Sequence, residues 1–326
     1  MRPHRFIASA GVLLIFTLVM TYHAQQAAAP LDPTVPHVFD VSGNQKIRVV
    51  PIATGLVHPW SIAFLPDGQT MLVTEQPGRL RIIRNGVLDP QPLWTAPAGQ
   101  GTDKLHFVAI HPQFAGNHLV YFSYPKKGER GVTLAVARGR LDGGTLSEVR
   151  DIFVADAWET GGNLAGRVMF GPDGSLYVTV GDRDRICCNG TDDNSLRMKA
   201  QLLNNHVGKV LRIRDDGSTP KDNPFVGRAD AKPEIFTYGH RNTYGLAFHP
   251  ETGALWQAEI GPMGGDEVNI LIPGHNYGWP LVSMGRNYTG NLVSDQPWYR
   301  PGMDNPRIFW VPSISPSSII FYTGDK

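Results

Sequence analysis

The sequence predicts an all-β protein arranged as a propeller, because one hairpin pattern recurs along the chain. Four segments share an apolar strand, a turn holding proline with Gly, Asp or Glu, and a second alternating strand that ends in polar residues. The turn prolines are spaced at or above the roughly 40 to 50 residues of a propeller blade. These prolines are Pro66, Pro112, Pro172 and Pro250. A two-sheet sandwich is the structural alternative.

We expect the functional groups to lie at the end of the second strand of each hairpin. In a propeller, equivalent strand ends gather on one face, so polar residues that are distant in sequence meet around a central channel. We therefore expect a set of such residues at one end of the fold. They are Glu75, Asp182, Arg241, Glu259 and Gly261-Pro262.

The first residues have the composition of a secretory signal peptide. A basic start is followed by an apolar run, Ile7 to Met20, and by small residues around Ala27-Ala28-Ala29. The run is short for a membrane-spanning helix, although an uncleaved anchor is the rival interpretation. We assign 1–29 to the leader and expect 30–326 to form one β domain. Within it, the best candidate helix is 195–205.

Charge and cysteine content restrict the partners further. With 30 basic and 29 acidic residues the net charge is +1, which predicts no nucleic-acid partner. The only cysteines are the neighbours Cys187 and Cys188. A strained ring between them, an intermolecular bridge and two free thiols all remain open. No second cysteine pair exists to complete a zinc site.

One stretch, from Tyr238 to Pro280, concentrates a cation, main-chain oxygens and carboxylates among tight turns. Its segments are YGHRNTYGLAFHP, EIGPMGGDEVN and PGHNYGWP. Arg241 offers a planar, permanently charged fork to an oxygen ligand. Gly261-Pro262 is a turn whose carbonyl oxygens suit a hard cation. Together they predict a site for an anionic, oxygen-rich ligand held through Ca2+.

Further segments, elsewhere in the chain, match one known family in the same order, together with this stretch. They are GLVHPWSIAFLPDG, VTEQPGRLRII, GRVMFGPDGSLYVTVGDRDR, LNNHVGKVLRI and DNPF. From about Val49 to Tyr322 the sequence resembles the soluble glucose/sorbosone dehydrogenase family, whose members are pyrroloquinoline quinone (PQQ)-dependent aldose dehydrogenases on a six-bladed β-propeller. The resemblance implies a bacterial periplasmic or secreted protein. It also implies an incomplete propeller of about five blades, because the family continues past PSISPSSIIFYTGDK with closing strands and groups that hold the PQQ carboxylates.

The resemblance assigns roles within the stretch from Tyr238 to Pro280. Arg241 would contact a quinone carbonyl oxygen and stabilise negative charge there, and Asn242 would add a donor. The carbonyl oxygens of Gly261 and Pro262 would bind the Ca2+ that bridges to PQQ. A structural arginine paired with a carboxylate is the alternative for Arg241. The carboxylates of GGDEVN either support the metal or brace the turn.

One position departs from the family pattern. Where the family has a histidine as general base in HxxGR, this chain has NLAGR, with Asn163 at the histidine position and Arg167 retained. An amide accepts no proton at neutral pH, and general base catalysis is typically worth about 10² to 10⁴ in rate. Asp182 matches the aspartate that steadies the histidine. It is one candidate for a replacement base, and Asp184 is another.

The segment GTDKLHFVAIHPQF departs as well. In the family this region lines the substrate mouth, which places Gln100 and His106 in the pocket. A half-buried strand histidine without a catalytic role is the alternative for His106.

The implied reaction is oxidation of an aldose at its anomeric carbon to a lactone, with hydride passing to PQQ and the hydroxyl proton to a base. The implied partners are a small-molecule sugar and an unidentified electron acceptor, with no membrane span after signal cleavage, and a homodimer remains open. Two other functions also remain open. One is a sugar- or protein-binding propeller without catalysis, which Asn163 supports. The other is a Ca2+-dependent, lactonase-like hydrolase, which would need carboxylates to dominate the channel.

Overall fold

The computed structural model describes residues 32, 34–41, 43, 45–97, 104–184 and 194–324. Two compact units make up the chain, Met1–Pro51 and Ile52–Lys326. The expectation of one domain over 30–326 stays a prediction. In the first unit, β1 (His37–Val41) and β2 (Gln45–Val49) form an antiparallel hairpin. The predicted leader 1–29, Gln100 and the Cys187-Cys188 pair lie outside the described residues.

The second unit consists of four antiparallel sheets, each built from consecutive strands. We number them blades 1 to 4. Blade 1 contains β3 (Pro59–Phe64), β4 (Thr70–Glu75), β5 (Arg79–Arg84), β6 (Val87–Leu88) and β7 (Trp94–Thr95), the last also pairing with β5. Blade 2 contains β8 (Val108–Ile110), β9 (Leu119–Gly128), β10 (Gly131–Asp142) and β11 (Thr145–Val154). Blade 3 contains β12 (Ala165–Phe170), β13 (Leu176–Val180), β14 (Lys209–Ile213) and β15 (Ile235–Tyr238). Blade 4 contains β16 (Thr243–Phe248), β17 (Leu255–Glu259), β18 (Asp266–Leu271) and β19 (Ile308–Trp310).

The first strand of each blade lies at the centre of the arrangement. Strand β3 contacts β8, β8 contacts β12, and β12 contacts β16, so the four inner strands follow one another around a channel. The segment 316–322 then runs beside β16 at Gly245 and packs Phe321 on His249 and Trp256. The all-β propeller prediction is confirmed, with four sheets in the described residues where the sequence suggested about five blades.

Alternation along the strands explains how successive blades pack. On β9, Tyr121 belongs to an apolar cluster shared with blade 3, whereas its neighbour Phe122 belongs to one shared with blade 1. On β13, Leu176 faces blade 2 and Tyr177 faces blade 4. Neighbouring residues of a strand point to opposite faces, so each central blade contributes to two clusters. Full burial of such a side chain stabilises the fold by about 1.5 to 3 kcal/mol.

The hairpin turns use the chemistry that the sequence predicted. In blade 1, Asp67 Oδ1 accepts hydrogen bonds from the backbone N–H groups of Gln69 and Thr70, and Gly68 adopts φ 68°. In blade 3, Asp173 Oδ1 accepts from Ser175 N. The second hairpin differs, because a short helix, α1 (Phe114–Asn117), occupies its turn.

The predicted helix over 195–205 is shorter in the structure. Helix α2 (Asn194–Met198) passes into a 3₁₀ helix at Lys199–Gln201. The fully buried ammonium of Lys209 donates to the carbonyl oxygens of Ala200 and Val207, which holds the chain in a turn after Gln201. The part of the chain that the structure describes contains no helix long and apolar enough to cross a membrane.

Candidate active site

The polar strand ends meet at one end of the channel. Asp182 N donates to Arg241 O at 2.7 Å, and Arg241 Nη1 donates to Gly261 O at 2.6 Å. Glu75 pairs with Pro59 at the start of β3. The next residue, Trp60, contacts Tyr244 near the start of β16, so Glu75 lies at the same end of the channel as that strand start. The structure therefore places Glu75, Asp182, Arg241 and Gly261 at the same end, as the hairpin pattern predicted. Glu75 itself is bound by Arg79 Nε at 2.6 Å and by Arg81 Nη1 at 3.2 Å, so it braces blade 1.

Asp182 follows β13 and is completely buried. Its Oδ1 accepts hydrogen bonds from Asn163 Nδ2 at 2.9 Å and Asp184 N at 3.0 Å, and its Oδ2 accepts from Trp279 Nε1 at 2.8 Å. Burial raises the pKa of this carboxyl to about 6, against the opposing field of Arg241. Asp182 therefore changes its protonation state close to neutral pH.

Asn163 stands beside Asp182, where the family histidine was expected. Two glycines allow the backbone to approach so closely: a Cβ on Gly162 would lie 2.2 Å from Arg183 O, and one on Gly181 would lie 2.4 Å from Asn163 O. Arg183 then clamps the loop by donating to the carbonyl oxygens of Gly162 and Asn163, each at 3.2 Å. The fold thus positions the Asn163 amide to donate to Asp182, as a histidine ring N–H would.

Arg241 lies between β15 and β16 and is almost fully buried. Its backbone N–H donates to Glu259 at 2.7 Å, and its Nη1 donates to the carbonyl oxygens of Ile260 and Gly261 at 2.9 and 2.6 Å. No carboxylate in the described residues pairs with its guanidinium. This argues against the alternative of an arginine held only by an internal ion pair.

The turn at Gly261-Pro262 is braced by Asp266. One Asp266 oxygen accepts from Gly261 N at 2.8 Å, and the other accepts from Ile314 N and Ser315 N, each at 2.7 Å. Glu267 is buried beside Glu259, and burial together with that neighbouring charge raises its pKa well above the usual range. Of the two alternatives for the GGDEVN carboxylates, the structure therefore supports bracing of the turn.

Trp279 connects these groups and was not singled out by the sequence. Besides its hydrogen bond to Asp182, the indole ring has the Cζ atoms of Arg241 and Arg197 at 5.5 and 5.4 Å from its centroid. Its carbonyl oxygen accepts from Gln201 Nε2 at 2.6 Å. The GWP motif was noted as part of a turn, and an aromatic residue amid glycines was the one signal that could have identified it.

His106 is a packed histidine rather than an exposed pocket residue. Its ring stacks on Trp60 with centroids 5.0 Å apart and contacts Ala165 O at 3.3 Å. Burial lowers its pKa to about 4, so it is neutral at physiological pH. It precedes β8 and is more deeply buried than the half-buried strand histidine that we considered.

Two buried atoms support a ligand at Arg241. Both Arg241 Nε and Asn242 Oδ1 are shielded from solvent and have no hydrogen-bond partner within the described residues. An unsatisfied buried polar atom typically costs about 1 to 3 kcal/mol, so a flat, polar group that reaches both atoms would be stabilising. Asn242 was expected to supply a donor, but its unsatisfied atom is the acceptor Oδ1. Rotating the side-chain amide by 180° would place the donor Nδ2 at that position instead. These residues fit a quinone.

The fit to Ca2+ is weaker. Gly261 O already accepts a short hydrogen bond from a guanidinium, and a cation there would share that oxygen. Within the residues that the structure describes, no group of three His, Cys, Asp or Glu side chains is arranged to hold a metal. Main-chain carbonyl oxygens would have to provide the protein ligands.

Comparison with known proteins agrees with this geometry. The sequence model for Glucose / Sorbosone dehydrogenase matches residues 56–326. The chain is 40% identical over 302 residues to the uncharacterized protein slr1608 of Synechocystis sp., covering 88% of this chain and 72% of that protein. It is 36% identical over 287 residues to the aldose sugar dehydrogenase YliI of Escherichia coli, covering 86% and 74%.

Solved structures show the same relationship. The apo form of the soluble aldose sugar dehydrogenase from Escherichia coli matches with a TM-score of 0.74 over 83% of this chain and 77% of that one, at 36% identity. The PQQ-bound form of the aldose sugar dehydrogenase from Streptomyces coelicolor matches with a TM-score of 0.63 over 83% and 73%, at 28% identity. The chain belongs to the glucose/sorbosone dehydrogenase family.

Proposed function

We propose that the protein is a PQQ-dependent dehydrogenase that oxidises aldose sugars at the anomeric carbon to lactones. The observation that carries this proposal is the buried Arg241–Asn242 pair, which has one donor and one acceptor unsatisfied beside Asp182. The name of the Streptomyces coelicolor relative, which was solved with PQQ, supports the same cofactor here. A secreted or periplasmic location and a separate electron acceptor belong to the same proposal.

Arg241 and Asn242 would hold the quinone, which supplies a two-electron acceptor when bound. Arg241 is fixed by its bonds to Ile260 and Gly261, so its positive charge is in place before the reaction begins. The Gly261 and Pro262 carbonyl oxygens would bind Ca2+, which would supply further positive charge.

The proton of the sugar hydroxyl is assigned to Asp182. Its neighbour Asp184 is bound by the buried guanidinium of Arg197 at 2.7 Å, which ties that carboxylate to a structural role. The pKa of Asp182, about 6, lies close to the operating pH, as a general base requires. Asn163 orients the carboxylate and takes no proton.

A binding propeller without catalysis is the second candidate. Both oxygens of Asp182 already accept hydrogen bonds and the side chain has no solvent exposure, which favours a carboxylate that only organises the site. The two candidates differ in turnover and agree in ligand binding.

Titration with PQQ separates them. We would measure PQQ binding by quenching of intrinsic fluorescence, with and without Ca2+ and after EDTA, and then assay dye reduction with a panel of aldoses. Tight PQQ binding with turnover supports the dehydrogenase. Binding without turnover supports the second candidate, and absence of PQQ binding contradicts the dehydrogenase. If EDTA leaves PQQ affinity unchanged, the Ca2+ assignment is wrong.

Replacing Asn163 with histidine provides a further test of the base. We expect Asn163→His to raise kcat/KM for aldoses by about tenfold or more, because it restores a base whose tautomer Asp182 can fix. The matched control is Asn163→Gln, which keeps an amide and should give no gain. An active wild-type enzyme that gains nothing from Asn163→His would show that Asp182 is already a sufficient base.

A further inference from the structure

The inner strands bring four side chains together across the channel. They are Trp60 of β3, Phe107 immediately before β8, Arg167 of β12 and Tyr244 of β16. Ring centroids of Trp60 lie 6.2 Å from Phe107 and 6.0 Å from Tyr244, and those of Phe107 and Tyr244 lie 5.9 Å apart. The Cζ atom of Arg167 lies 5.3 Å from the Phe107 centroid. We call this set the channel layer.

Arg167 is the charged member of the channel layer, and its guanidinium lacks polar partners among the described residues. Its Nε is buried with no hydrogen-bond acceptor, and no carboxylate among the described residues forms an ion pair with its guanidinium. Other buried arginines of the same blade are satisfied. Arg183 donates to four backbone carbonyl oxygens, and Arg197 binds Asp184 and Asn287.

The environment of Arg167 is unfavourable for an isolated positive charge. Burial is the sole cause of the lowering of its pKa, with no opposing acidic group. Phe107 offers its ring face to the cation, with the Arg167 Cζ atom 5.3 Å from the ring centroid. The Trp60 indole Nε1 is a second buried donor for which the described part of the chain offers no acceptor. Two unsatisfied donors and one uncompensated charge are costly to bury, and a negatively charged hydrogen-bond acceptor would reduce that cost.

We propose that the channel layer binds a small anion, either chloride or the carboxylate of a small organic acid, against Arg167. The anion accepts from the Arg167 guanidinium and neutralises the charge that the protein leaves unpaired. The channel layer borders the proposed quinone site, since Tyr244 interacts with the side chain of Asn242, but the anion proposal rests on Arg167. It does not depend on the proposed oxidation of sugars.

Thermal unfolding at constant ionic strength tests the site. Sodium methanesulfonate would be replaced stepwise by sodium chloride in one series and by sodium acetate in another. With a dissociation constant of about 10 mM, 100 mM of the bound anion raises the ratio of folded to unfolded protein roughly tenfold, which corresponds to a rise in Tm of about 3 °C. The series that shows the rise identifies the source of the negative charge.

Two variants make the result specific. Arg167→Gln should abolish the anion-dependent rise in Tm, whereas Arg150→Gln, which removes an exposed arginine of β11, should retain it. Equal anion dependence in wild type and Arg167→Gln would overturn the proposal, as would no dependence in wild type.

Crystals of the unmodified protein soaked in bromide give a check that needs no variant. We expect an anomalous peak within about 3.5 Å of the Arg167 guanidinium if chloride is the natural anion, the range of a hydrogen-bonded contact to a halide. Electron density for acetate at the same place, in crystals soaked in acetate, would identify a carboxylate as the natural anion. Water alone around Arg167 in both soaks would overturn the proposal.

Discussion

Replacing Arg241 with alanine is expected to lower quinone-dependent aldose oxidation by about 10² to 10³ in kcat, the usual cost of removing one preorganised donor from a site where negative charge develops. Loss of a charge-assisted contact worth about 1.5 to 3 kcal/mol should also weaken PQQ binding by roughly ten- to a hundredfold. Steady-state kinetics and fluorescence titration measure the two effects. The expected loss is large because the guanidinium is buried and already fixed by Ile260 and Gly261.

The control for Arg241 is another buried arginine at the same end of the fold. Arg81 is bound to Glu75 in blade 1, so Arg81→Ala should lower Tm and leave the PQQ affinity of the folded protein within a few-fold of wild type. If Arg241→Ala lowers Tm as much as Arg81→Ala does and leaves PQQ affinity unchanged, Arg241 is a structural residue.

Replacing Asp182 with asparagine is expected to lower kcat by about 10² to 10⁴, the range for loss of a general base. The pH profile gives the sharper result. Since the carboxylate form is the active one and its pKa is about 6, kcat/KM of the wild type should rise as the pH passes through about 6 and then level off. This step should be absent from the residual activity of Asp182→Asn.

Stability should change with pH in the opposite direction. The pKa of Asp182 is raised from 3.8 in the unfolded chain to about 6 in the fold, so the folded state holds the proton more tightly. The stabilising contribution is complete below pH 3.8 and is lost as the pH rises through about 6.

Asp173→Asn, at the opposite end of the same blade, is the matched control and should leave the kinetic pH profile unchanged. A wild-type profile without a step near pH 6 would remove Asp182 from the proton transfer.

The hairpins were predictable from the sequence because their signals are local. Asp67 and Asp173 satisfy the backbone of their own turns, and the residues of β4 and β13 are buried on both faces of their strands. The short helix α1 was not predicted, since the residues after Pro112 carry no capping side chain that would mark its start. The helix over 195–205 was predicted too long because the carbonyl oxygens of its last turn bind Lys209, which no local pattern reveals.

The site was less predictable because its contacts join distant segments. The motifs identified Arg241, Asp182 and Asn163, and the structure brings Asp182 into direct contact with the other two. The hydrogen bond from Trp279 to Asp182 was not foreseen, since nothing in either local sequence specifies it. The hydrogen bond from Arg241 Nη1 to Gly261 O was also not predicted, because every residue has a carbonyl oxygen and the sequence does not show which one is used.

The order of strands within each blade has a consequence for how the protein is made. Each blade is formed by neighbouring strands, so it can close soon after its last strand leaves the ribosome, before the next blade exists. Asp182 is 97 positions ahead of Trp279, and its Oδ2 gains that partner only after β18 has been synthesised. A nascent chain that has completed only three blades therefore lacks one hydrogen-bond partner of Asp182, and the carboxylate site is complete only once Trp279 has been made.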